Sequence, residues 1–230
     1  MTGKTRGWLR VVLVSLVVAV LTACLFLPDF LGQIDGGKYD PAADGAPRPM
    51  GTAGIPDAEE QTEPHTCGLH AMRSMYKAYR LDAERYDLRF RLGTDHPAMR
   101  VDKDSTGTLH PDLYRVLAQD GFFARPIALE HADAAAELRD HLDRQHLALA
   151  VVYRSTYHWV LVGPGDGAGQ LAVYDSLQHD APLAGTAGAL LDEALSITLV
   201  EPAEPGQFIS TTDAHAEGLA EMTRLVQRKK

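Results

Sequence analysis

Tyr157 to Asp175 reads YHWVLVGPGDGAGQLAVYD, and this stretch decides the fold. Two apolar runs, 157–163 and 171–175, flank Pro164-Gly165-Asp166-Gly167-Ala168-Gly169. Gly, Pro and Asp between runs rich in Val, Leu and Tyr predict two antiparallel strands joined as a hairpin. The link is no phosphate loop, because it lacks a Lys-Ser/Thr ending and opens no helix. Just upstream, residues 147–153 (LALAVVY) form a continuous apolar run of strand length, and 196–200 downstream predict a further strand.

Upstream of these strands the apolar spacing changes. Leu69, Met72, Met75, Tyr76 and Tyr79 recur on one face of a helix over 66–80. A second helix is predicted over 111–120, opened by Pro111 and ended by Gly121. Residues 122–127 read as extended, and 132–144 as a third helix burying Leu138 and Leu142. Residues 213–228 make a last amphipathic helix, with an acid at its start and basic residues at its end as the helix dipole favours. Helices followed by antiparallel strands predict an α+β fold.

The N-terminus is different in kind. Lys4, Arg6 and Arg10 precede an uncharged run from Val11 to Leu27, the pattern of an export signal that leaves its basic end in the cytoplasm. Leu21-Thr22-Ala23-Cys24 resembles a lipobox, while Trp8 to Leu27 is long enough to remain as an anchor at roughly 20 residues. Either fate tethers the domain to a bacterial membrane, facing the periplasm or the exterior. Residues 29–60, rich in Gly, Pro, Ala and Asp, have linker composition. The expected organisation is therefore a signal or anchor (1–28), a linker (29–60), a catalytic domain (61–205) and a C-terminal helix packed on it (206–230). The three cations and absence of acids in the first 24 residues leave the remainder at −12, against −9 for the whole chain. So acidic a domain excludes nucleic acid as a partner, since that affinity depends on neutralising phosphates.

Of the two cysteines, Cys24 lies in the apolar segment, so the domain holds only Cys67 and forms no internal disulfide. A lone thiol in an exported chain is either a buried inert residue or a reactive one. Cys67-Gly68 opens the first helix, where the positive end of the helix dipole favours a thiolate. Gln61 precedes it by six positions, so its amide and the Cys67 N–H can both point at one oxyanion. His158 begins one strand of the hairpin and Asp175 ends the other. That pairing lets Asp175 hold one ring nitrogen while the second faces the thiol. The plainer readings are a core histidine, a strand-end aspartate and a loop glutamine. His65, Cys67 and His70 also sit close in sequence, but no second pair completes a zinc site.

Gln61-Thr62-Glu63-Pro64-His65-Thr66-Cys67-Gly68 resembles the glutamine-to-cysteine box of papain-like enzymes, and HWVLVGPGDGAGQLAVYDS resembles the bacteriocin-processing, double-glycine peptidase family. Leu92-Gly93-Thr94, Gly107-Thr108, Leu113 and Leu117 before Gly121-Phe122 follow the same family's pattern. The likeness spans roughly Glu60 to Ser176. It implies a papain-like fold and peptide-bond hydrolysis without metal or cofactor. In that reading Cys67 is nucleophile, His158 general base and acid, Asp175 orienting carboxylate and Gln61 oxyanion donor. It also implies a peptide or protein substrate, and a separate export system as a possible partner. Two departures stand out: Ser176 where the family often has Pro, and Leu69-His70 where it has small residues. A thiol-type cell-wall amidase and a non-catalytic peptide-binding module are the rival readings.

Overall fold

Residues 147–153 read as continuously apolar because both faces of their strand are covered. Leu147, Leu149 and Val151 enter one core, with Trp159 and Leu161 from the next strand. Ala148, Ala150 and Val152 enter the other, with Val160 and Val162. The period-two alternation of a strand thus divides one apolar run between two layers of helix.

A computed structural model of the chain describes Ser15 and residues 47–49, 51–95, 107–153 and 156–228. The chain divides into two units, 1–39 and 40–230. The expected signal or anchor at 1–28 lies, but for Ser15, outside the described residues. Among the described residues no helix is long and apolar enough to cross a membrane.

The second unit is built on a six-stranded antiparallel sheet. Its strands are β1 (Phe122–Pro126), β2 (Leu147–Tyr153), β3 (Tyr157–Pro164), β4 (Gln170–Tyr174), β5 (Leu183–Thr186) and β6 (Ala194–Pro202). Their spatial order is β1-β6-β2-β3-β4-β5. The hairpin predicted from 157–175 is β3 paired with β4, in register Leu161 to Tyr174 through Pro164 to Leu171. Helices α1 (Cys67–Ala78) and α3 (His110–Gln119) bury Met72, Met75, Leu113 and Leu117 on the first face of the sheet. Between them lie a 3-10 turn (Ala83–Tyr86) and the short α2 (Leu88–Arg91). Helices α4 (Ala134–Asp143) and α5 (Ala187–Glu193) bury Leu138, Leu142, Ala187 and Leu190 on the second. The model is α+β, as the order of patterns predicts.

Two features depart from the pattern read in the sequence. β5 and α5 carried no signal: Leu183–Thr186 is an exposed edge strand whose residues do not alternate in burial. Residues 51–60, expected as linker, run against the domain. Ala53 N donates to Gln145 O (2.9 Å), Gly54 N donates to Ala78 O (2.8 Å), and Pro56 is buried. Backbone groups that find partners in the domain outweigh a loop-like composition. The C-terminal helix α6 (Thr211–Arg228) packs on α3, with Gly218 at the crossing. A Cβ there would stand 2.6 Å from His110 O, so only glycine permits this approach.

Candidate active site

Cys67 is the first residue of α1, and no acid lies in that helix's first turn to offset its dipole. The chain turns into the helix at Glu63, whose carbonyl accepts from Thr66 N (3.2 Å) and Thr66 Oγ1 (2.9 Å). Gly68 is obligatory, because a Cβ there would lie 2.6 Å from Thr108 Cβ. Gly107 is also required, with φ +64° and only 2.2 Å between a would-be Cβ and His65 O. Gly107-Thr108 thus lies on the helix start. Thr108 O also accepts from Trp159 Nε1 at 3.0 Å, which ties the start of the Cys67 helix to the strand that carries His158.

The β3–β4 ladder stops at Leu161 and Tyr174, so the two strands part where His158 and Asp175 stand. Asp175 is held by a turn of its own: its Oδ1 accepts from Leu177 N (2.9 Å) and its carbonyl from Gln178 N (2.9 Å). The same Oδ1 accepts from His158 Nε2 at 2.7 Å. His158 is also hydrogen-bonded to the Cys67 thiol. Nε2 being engaged by the carboxylate, Nδ1 is the nitrogen that faces sulfur. Cys67 forms no disulfide among the described residues, and all three side chains are buried.

Burial acts most strongly on His158 and pulls its pKa down, as desolvation of a cation must. The hydrogen bonds to Asp175 and then to Cys67, with the charges of both, outweigh it and push the pKa up to about 9. The imidazole therefore holds its proton at neutral pH, the form that pairs with a thiolate.

Gln61 is joined to the same turn. Its backbone N donates to Ser176 O (2.9 Å), its Nε2 to Glu63 O (2.7 Å), and its Oε1 accepts from Ser176 Oγ (2.9 Å). The carbonyl at Glu63 can only accept, which fixes the orientation of the amide and makes the Ser176 hydroxyl the donor. The second Nε2 hydrogen has no acceptor among the described residues. Thr108 was legible in the sequence only as part of the family-like Gly107-Thr108 pair. Ser176 was legible only as a departure from the family's proline, which has no hydroxyl to give.

A double glycine motif protease from an AMS/PCAT transporter, solved in complex with the leader peptide, is similar over 69% of this chain and 99% of its own, at 16% identity and TM-score 0.44. The peptidase domain of Streptococcus ComA, a bifunctional ABC transporter of a quorum-sensing pathway, is similar over 64% and 99%, at 16% identity and TM-score 0.46. The chain is similar to double-glycine motif peptidase domains. No family model and no curated protein sequence matches it.

His65, Cys67 and His70 do not converge as one ligand set. Among the described residues His65 faces Asp95 (3.3 Å) and His70 faces Glu59 (3.3 Å).

Proposed function

We propose that the chain is a membrane-tethered cysteine peptidase that hydrolyses peptide bonds of an exported peptide or protein. Cys67 is the nucleophile, His158 the general base and acid, Asp175 the carboxylate that orients it, and Gln61 an oxyanion donor. The observation that carries the reading is a single imidazole bonded to a buried carboxylate at 2.7 Å and to the thiol at a helix N-terminus. The tether rests on the basic start and uncharged run of residues 4–27.

In this mechanism the Cys67 thiolate attacks the scissile carbonyl carbon. The oxyanion that forms takes hydrogen bonds from the Cys67 N–H and the remaining Gln61 Nε2 hydrogen. Loss of one oxyanion donor costs about 100- to 1,000-fold in kcat, which sets the scale for Gln61. The tetrahedral species collapses as His158 gives its proton to the leaving amine, and a thioester remains on Cys67. His158, now neutral, takes a proton from water, whose oxygen attacks the thioester and releases the acid and the thiolate.

The test is cleavage of a Gly-Gly leader peptide by the full chain, with purified peptidoglycan as a second substrate. Cys67→Ala is expected to abolish cleavage while the fold persists, and His158→Ala to abolish selective thiol labelling near neutral pH. Wild-type turnover by Cys67→Ala overturns the mechanism. Digestion of peptidoglycan alone moves the activity to a cell-wall amidase.

A further inference from the structure

The end of α4 carries a second group of chemically matched side chains, far from the thiol. The helix closes in a Schellman turn: Gln145 N donates to Leu142 O (2.8 Å), His146 N donates to His141 O (3.4 Å), and Gln145 takes a positive φ of 62°. Such turns usually bring two apolar side chains together at the positions occupied here by His141 and His146. Instead, two imidazoles meet with centroids 5.2 Å apart. Glu201, at the end of β6, reaches them from the neighbouring strand, with Oε2 3.4 Å from His146 Nδ1.

His141 is fully buried, and its Nε2 lies 3.0 Å from Leu147 O and 3.2 Å from Val200 O. Both are carbonyls that only accept, so Nε2 carries the hydrogen and Nδ1 presents a lone pair. That Nδ1 is buried with no hydrogen-bond partner. A histidine that donates its far N–H to backbone carbonyls and aims the other nitrogen at an acceptor-free space has the arrangement of a metal ligand. His146 Nδ1 is likewise buried, and the Glu201 carboxylate faces it at 3.4 Å.

We propose that His141 Nδ1, His146 Nδ1 and the Glu201 carboxylate bind one divalent transition-metal ion of the zinc type, with solvent as fourth ligand. One ligand atom from each of the three residues lies within 4.8 Å of those of the other two. Ligands at 2.0–2.1 Å from a tetrahedral ion stand about 3.4 Å apart. His146 Nδ1 and Glu201 Oε2 are already at 3.4 Å. Two imidazoles and one carboxylate suit zinc, cobalt or nickel rather than calcium or magnesium. The ion ties the end of α4 to the end of β6. The site lies near Leu147, at the opposite end of β2 from Val152, the partner of His158. Five residues of strand put the two centres roughly 17 Å apart, so the ion holds the fold and takes no part in thiol chemistry. Glu63, His65 and Asp95 form a comparable cluster, but the Arg89 guanidinium hydrogen-bonds both of those carboxylates, whereas the cation nearest Glu201 Oε2, Arg144, stands off at 3.9 Å.

The experiment uses the full chain in mild detergent, carrying both Cys24→Ala and Cys67→Ala because a thiol itself binds zinc. After chelator treatment, zinc chloride alone is titrated by calorimetry and thermal unfolding is followed with and without it. One equivalent is expected to bind and to raise the midpoint. His146→Ala and Glu201→Gln, both on partly exposed side chains, are expected to keep the far-ultraviolet spectrum and to weaken binding by about tenfold or more. Cobalt in place of zinc is expected to show the visible bands of a four-coordinate ion, lost in His146→Ala. No uptake by the chain carrying both cysteine substitutions, or equal affinity in His146→Ala, overturns the proposal.

Discussion

His158 is a residue whose proton is held from two sides, and its raised pKa has consequences in both rate and stability. Its ordinary value is about 6.5, and in the fold it rises to about 9. A group whose folded pKa exceeds its unfolded one stabilises the fold fully below the lower value and loses that contribution as pH passes the upper. Stability of the wild type relative to His158→Gln is therefore expected to decline from about pH 6.5 to about pH 9, read from urea midpoints across that range. If peptide cleavage uses the imidazolium, kcat/KM should fall on the alkaline side with an apparent pKa near 9; a limb near 6.5 contradicts the geometry. At this scale the sequence was informative for a simple reason. A thiol at a helix start and a histidine at a strand start are local statements, legible from neighbours. The two-way grip on Gln61 was not, because Ser176 Oγ and Glu63 O belong to opposite ends of the domain and no spacing rule joins them.

Among the elements, α2 and α3 share the apolar core and are also joined by charge. Arg91 forks onto Asp120, Nη2 to Oδ1 at 2.7 Å and Nη1 to Oδ2 at 2.9 Å, with both side chains fully buried. Arg91 Nη1 also donates to Tyr86 O (3.0 Å), and the Tyr76 hydroxyl donates to the same carboxylate from α1. Burial pushes the Asp120 carboxyl up, and the guanidinium opposes it. Removing one partner strands a buried charge, so Arg91→Ala is expected to cost about 3–5 kcal/mol in chemical unfolding. Replacing both, as Arg91→Met with Asp120→Leu, is expected to cost less than the single change; an equal or larger cost refutes this account. The elements themselves were legible where apolar periodicity was strong, as at α1, α3, α4 and the five strands other than β5. β5 and α5 were not, because an edge strand exposed on most of its length needs no alternation, and α5 is too short to show a face. The segment 51–60 misled for a related reason. Its order comes from hydrogen bonds to Ala78 and Gln145, which composition does not report.

For the molecule as a whole, the decisive feature is that the last strand in sequence is not last in space. β6 lies between β1 and β2, paired with both. A chain ending at Glu193 would leave β1 with no neighbour and bare one side of β2. It is expected to lose cooperative unfolding and the selective reactivity of Cys67, measured by a thiol probe; retention of both would show that β6 is dispensable. The C-terminal helix adds to this dependence, since its Gly218 rests on the start of α3. Time enters here. A ribosome delivers Cys67 early and β6 late, so until synthesis has passed Pro202 a half-made chain carries its thiol on a sheet that still lacks the strand joining β1 to β2.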